Sequence, residues 1–177
     1  MADWRPGKRK TFRYNAEANE IRTMNEAAAQ TTPSKFNLHQ VYTKDVSFES
    51  PQSPAVFTWK DYRPDTEVDL KAQQSLIDAD KHIYEVVLQV TVTAKQQDQV
   101  VFLVEVHQAG IFTVEGSTPE MLEMLLEAAC PTVLYPFVRE TIASLTAKGG
   151  FPQFLLSPVN FDAMYLQKKN QQVSGTA

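Results

Sequence analysis

A single cysteine, Cys130, is the only thiol in 177 residues, so no internal disulfide can form and the composition fits a reducing compartment. Glycine is scarce, at six residues, and none stands in G-x-x-x-x-G-K-S/T or G-x-G-x-x-G spacing, which leaves no glycine loop to cradle a phosphate. The nucleophile turn G-x-S-x-G is missing as well. The three histidines, His39, His82 and His107, lie far apart, and none stands at metal-ligand spacing from another His or from Cys130. Uninterrupted apolar runs such as Val100–Val104 fall well short of the roughly 18 residues of a membrane span. The first residues carry no apolar signal core. These absences speak against an enzyme, a cofactor-bearing protein or an exported chain, and the expectation is a cytoplasmic domain.

What is present reads as globular: 43% hydrophobic and 21% charged residues, at a length close to the roughly 150 residues of one domain. The net charge of -4 hides an asymmetry. Residues 1–23 carry six basic and three acidic side chains, so residues 24–177 hold a net -7. An acidic body repels phosphate backbones, so nucleic acid is not an expected partner. Residues 1–34 read as a basic and polar disordered extension, with Met24 as an alternative start, because no aromatic interleaving or heptad supports a working arm.

After Ser34 the two-residue period of a strand begins. Phe36, Leu38, Val41, Val46 and Phe48 predict one long strand over about 36–49, bent near Tyr42–Asp45. Pro51 and Pro54 close it, and residues 50–64 read as a loop that carries Val56, Phe57, Trp59 and Tyr62. Glu67–Leu70 predicts a short strand, followed by a flexible polar stretch from Lys71 to Asp80. Over 82–94, Tyr84, Val86, Leu88, Val90 and Val92 share a face. Over 100–112, Val100, Phe102, Val104 and Val106 do the same, with Val101, Leu103, Glu105 and His107 opposite. Gly116 to Glu120 is a helix start with Ser117 and Glu120 spaced as a capping box, and Pro131 is expected to end that helix and open a second one to Lys148. Asn160 caps a last helix from Phe161 to about Lys169, leaving 170–177 as a disordered tail. Strands first and helices afterwards predict an α+β fold, a four-stranded antiparallel sheet with helices packed on one face, over 35–169.

Chemistry-bearing residues are few. His107 alternates with Glu105 on a strand and, without a third ligand, reads as a solvated histidine. Cys130, with no nearby basic group, reads as a structural thiol. Two surfaces stand out instead. Asp45, Ser47 and Glu49 share one strand face, as do Leu103 and Glu105; if the two faces coincide they form an acidic patch with an apolar centre, suited to a basic segment. The aromatic loop, together with Leu155, Leu156, Phe161, Met164 and Tyr165, predicts an apolar groove able to hold segments of other chains.

The run from Val41 to Pro51, Tyr84–Leu88 with Thr91–Ala94, Gly110–Phe112, Cys130-Pro131, Arg139-Glu140, Phe151–Gln153 and Pro158–Ala163 resembles the SecB family, the bacterial protein-export chaperones, over about 36–166. The resemblance implies an ATP-independent holdase, without a cofactor, that assembles as a tetramer (a dimer of dimers) in the bacterial cytoplasm. It implies binding of unfolded precursor proteins and their transfer to SecA, the translocase motor. By the same resemblance Asp45, Glu49, Leu103 and Glu105 receive the basic, zinc-bearing tail of SecA. Val56, Phe57, Trp59, Tyr62, Leu155, Leu156, Phe161, Met164 and Tyr165 line the client groove. Two alternatives stand beside it: a SecB-like chaperone dedicated to one client such as an antitoxin, and an α+β enzyme holding an acyl chain, for which His39 and Asp162 are the available polar groups.

Overall fold

Alternating β-branched residues build a four-stranded antiparallel sheet, seen in a computed structural model that describes residues 35–174. The extension expected over 1–34 lies outside the described residues. Strands β1 (Lys35–Glu49), β2 (Asp65–Asp78), β3 (Ile83–Gln96) and β4 (Gln99–Glu115) stand in the order β1-β4-β3-β2, so the two most apolar strands occupy the centre. Both edges are more polar, as strands with an unpaired side need to be. The bend read near Tyr42–Asp45 is a register shift between Thr43 and Asp45, and a second lies between Leu38 and Gln40.

Strand β2 is far longer than expected. The stretch from Lys71 to Asp78, read as flexible, pairs with β3 from Lys71 opposite Gln89 to Asp78 opposite Ile83, with Ile77 as the extra residue of a register shift. Apart from Ala72 and the adjacent Leu76 and Ile77 its side chains are polar, with no apolar alternation to mark it as a strand; the backbone ladder to β3 imposes the conformation. Val101 also departs from the expected alternation. Lys95 pairs with Val100 and Ala94 with Phe102, so Val101 is the extra residue of a bulge and is fully buried.

One face of the sheet is covered by helix α1, which runs unbroken from Pro119 to Lys148. Pro131 therefore does not end a helix. A proline there has no N–H and its ring would strike the carbonyl four residues back. The turn just before it, Leu125–Ala129, is a wider π turn, which moves that carbonyl away. Thr132 Oγ1 also donates to the Ala128 carbonyl oxygen at 2.8 Å. The helix starts at Thr118 rather than Ser117: Pro119, with φ fixed for the first helical position, makes its predecessor the cap, and Thr118 Oγ1 accepts from Met121 N at 3.3 Å. By length and composition this is the one described helix able to cross a membrane. Here its apolar stripe packs on β3 and β4, burying Leu126, Ala128, Cys130, Leu134, Val138 and Ile142 against Val86, Leu88, Val90, Val104, Val106 and Phe112. Each fully buried side chain of this kind contributes about 1.5–3 kcal/mol.

Helix α1 ends at Gly149 and Gly150, the latter at φ +86°, a left-handed turn that glycine makes without strain. Helix α2 (Phe161–Ser174) extends past the expected end near Lys169, so residues 170–174 of the expected tail are helical and 175–177 lie outside the described residues. Asn160 caps it as expected, its Oδ1 accepting from Ala163 N at 2.9 Å. The sheet is wider than the helix. Phe36, Leu38 and Val46 on β1, Val68 and Leu76 on β2, and Phe137 on α1 remain exposed.

Candidate functional site

Residues opposite one another in an antiparallel ladder point to the same face. Asp45 pairs with His107, Ser47 with Glu105, and Glu49 with Leu103. The two acidic faces read from the sequence therefore coincide on the side of the sheet away from α1. The rows continue inward, since His107 pairs with Gln89, Glu105 with Thr91 and Leu103 with Thr93. They reach Lys71, Asp69 and Glu67 on β2. Asp45 and Glu49 are exposed, and Leu103 is half-buried at the centre.

Glu105 is anchored through both of its oxygens. Its Oε1 meets His107 Nε2 at 2.8 Å, and its Oε2 accepts from Thr91 Oγ1 at 3.0 Å. The His107 contact first, and the Thr91 hydroxyl second, hold its carboxyl below the ordinary carboxylate range. Farther along the same face, Glu85 accepts from Lys44 Nζ at 2.8 Å through both oxygens and from the Tyr42 hydroxyl.

The aromatic surface lies on the other side of the same strands. Its hub is Phe151, buried just after the α1 turn, with ring centroids at 5.1 Å from Phe102, 5.3 Å from Phe57, 6.2 Å from Tyr62 and 6.3 Å from Phe48. Thr146 fixes the hub: its carbonyl accepts from Phe151 N at 3.0 Å and its buried Oγ1 from Phe154 N at 3.0 Å. Val56, Phe57, Trp59 and Tyr62 thus face Gly150, Phe151 and Pro152 around a depression of about 150 Å³. Phe57 is half exposed there, and burial pushes the Tyr62 phenol up.

The nine residues expected to line one groove are divided. Phe161, Met164 and Tyr165 border a separate depression of about 320 Å³ against Leu70, Lys71 and Ala72 of β2, with Glu127 and Lys168 at its rim, 2.8 Å apart. Leu156 is buried in the core, whereas Leu155 is 68% exposed. Val56 is buried beneath the loop. Phe48 and Phe102 join the aromatic cluster without having been read as part of it; their strand alternation, which puts both on the α1 side, was the available signal.

The groups of the enzyme alternative are not assembled. His39 Nε2 meets Thr113 Oγ1 at 2.6 Å on the sheet, while Asp162 sits exposed in the first turn of α2. Cys130 is wholly buried, which pushes its thiol up to about 12. Among the described residues no group of three His, Cys, Asp or Glu side chains is arranged to hold a metal ion.

Residues 28–172 match the family described as preprotein translocase subunit SecB. The chain is 45% identical over 159 residues to the protein-export protein SecB of Nitrosococcus oceani, covering 89% of this chain and 96% of the relative. It is 47% identical over 151 residues to the protein of the same description from Thioalkalivibrio sulfidiphilus, covering 85% and 89%. Among solved structures, a SecB-like chaperone of Mycobacterium tuberculosis in complex with an antitoxin peptide is similar in fold, with a TM-score of 0.60 at 16% identity over 80% of this chain and 99% of that one.

Proposed function

The chain belongs to the SecB family of protein-export chaperones, which are not enzymes, and from that membership we propose that it is an ATP-independent holdase of the bacterial cytoplasm that keeps unfolded precursor proteins competent for translocation and passes them to SecA. The observation that carries this reading is the division of two surfaces between the sides of one sheet. The side away from α1 gathers Asp45, Glu49 and Glu105 around Leu103, a fit for the basic, zinc-bearing tail of SecA. The opposite side and its flanking helices present Phe57, Trp59, Tyr62 and Met164 around the two apolar depressions.

The mechanism follows from burial. A non-native chain exposes apolar stretches, and covering them yields roughly 25 cal/mol per Å² of apolar surface. Each short segment is held weakly; several subunits on one long chain multiply the hold, with gains of about 100-fold or more. A folded client hides the same stretches and is not bound. Docking on the other side of the sheet leaves the client seats untouched. The exposed apolar side chains of β1, β2 and α1 (Val46, Val68, Leu76 and Phe137) support assembly into a homotetramer, since such patches on a soluble protein call for a cover.

Light scattering on a size-exclusion column tests the reading, with the protein alone and with a precursor diluted from denaturant, in the absence of ATP. The expected result is a tetramer that co-elutes with the unfolded precursor and ignores the folded form. A monomer or dimer that captures nothing would overturn it.

A further inference from the structure

Beside Glu105 the acidic face carries an imidazole, that of His107. His107 follows Glu105 by two residues on β4, so both point to the same face, and the pair stands opposite Asp45 and Ser47 of β1. Its Nε2 lies 2.8 Å from Glu105 Oε1, and the two side chains remain 26% and 32% exposed. We propose that His107 sets the net charge of the docking face and thereby makes its hold on a basic partner segment dependent on pH; this rests on the reading of that face as the seat of such a segment.

The geometry carries the inference through the charges that surround the ring on each side. From β1 it meets Asp45, its partner in the ladder, with Glu49 farther along the strand. Along β4 it meets Glu105. From β3 the facing residues are Gln89 and Thr91, both uncharged. Beyond them on β2, Lys71 and Asp69 pair with each other at 2.7 Å and contribute no net charge. With Glu67 and Glu85 on the same face paired to Lys95 and Lys44, the neighbourhood that a basic segment meets is Asp45, Glu49 and Glu105, a net three negative charges with a neutral imidazole and two with an imidazolium. Imidazole is the side chain that makes this change between about pH 5 and 8. The contact itself is common to both ring states, since a carboxylate oxygen only accepts and Nε2–H donates to it with or without the second proton, while Thr91 holds the other oxygen. Protonation therefore changes the net charge of the face and not the occupancy of Glu105.

One unit of charge a few ångströms from a solvated partner changes affinity by about threefold to tenfold. The test is calorimetric titration of the isolated zinc-bearing basic tail of SecA into the whole protein, at about pH 8 and about pH 6 and at low salt, where such interactions are least screened. Wild type, His107→Gln and His107→Lys are compared, each checked for its fold by circular dichroism. The tail's own titration is common to all three proteins, and so are His39 and His82. Wild type is expected to lose about threefold to tenfold more affinity than His107→Gln on going to the lower pH. His107→Lys, permanently charged, is expected to bind weakly at both. Equal pH dependence in wild type and His107→Gln, with binding intact, would overturn the role of His107 alone. A tail that binds wild type at neither pH would overturn the docking reading itself, and this inference with it.

Discussion

Tyr42 on β1 donates its hydroxyl hydrogen to Glu85 on β3, although β4 lies between the two strands. The crossing is possible because the β4 partner of Tyr42 is Ala109, whose methyl leaves room for a phenol to reach past it. Lys44, the extra residue at the β1 register shift, reaches Glu85 from the same edge, and Ser75 of β2 contributes a longer contact at 3.4 Å. One carboxylate thus ties together three strands of the sheet.

This tie gives stability a defined pH dependence. Lys44 first and Tyr42 second hold Glu85 below the ordinary carboxylate range, so its contribution is complete above an unfolded value of about 4.3 and is lost as pH falls through the lower folded value. The hydrogen bond to Glu85 raises Tyr42 to about 12, so its contribution is complete below about 10 and is lost between about 10 and 12. Tyr42→Phe is expected to cost about 1 kcal/mol near neutral pH and to flatten part of the alkaline fall in the thermal midpoint. Calorimetric scans from acid to alkali would show it; an unchanged alkaline limb would remove Tyr42 from the account.

Replacing Asp45 and Glu49 together by Ala is expected to weaken binding of SecA while leaving capture of an unfolded precursor intact. Their side chains are exposed and make no contact with the aromatic hub, so the fold has little to lose. Paired binding assays on the same preparation decide it. Parallel loss of both activities would abolish the division into two surfaces.

The double replacement Phe57→Ser and Trp59→Ser is expected to reduce precursor capture severalfold without dissolving the oligomer. Phe57 is half exposed over the Phe151 ring, so its removal takes apolar contact from the surface more than from the core. Capture at the wild-type level would assign clients to the depression beside α2 instead.

Gly149→Ala is expected to destabilise the protein by about 1–3 kcal/mol, in the range of an overpacked core. A Cβ there would run into the Phe48 ring. Because Phe48 belongs to the cluster around Phe151, the variant should also change the near-ultraviolet circular dichroism of the aromatic groups. Wild-type stability together with an unchanged aromatic spectrum would contradict the packing described.

The acidic face was legible because a strand period of two places Asp45, Ser47 and Glu49 together regardless of context. Its coincidence with Leu103 and Glu105 required the β1–β4 register, which no local pattern states. The central strands could be read from their valines. The second half of β2 could not, since Gln73, Gln74 and Ser75 have no apolar alternation and owe their conformation to β3. Pro131 misled for a complementary reason: a proline reads as a stop, and the π turn that accommodates it leaves no mark on the apolar spacing. The groove was legible in composition but not in outline. Between Phe151 and Asn160 there is no regular period, so nothing distinguished Leu156, which turns inward, from Leu155, which does not.

Phe48 and Glu49 are neighbours in the chain, as are Phe102 and Leu103, and in each pair one member serves the aromatic cluster and the other the acidic face. The two proposed surfaces are thus written in alternate letters of the same text. A single-residue deletion between Val46 and Glu49 would exchange the readings, turning the ring toward the acidic face and the carboxylate toward the cluster. The register shifts at Leu38/Gln40 and Thr43/Asp45, upstream of that segment, are where the reading frame of the sheet can absorb length. Substitution is therefore the change that the second half of this strand can take, while changes of length are absorbed in its first.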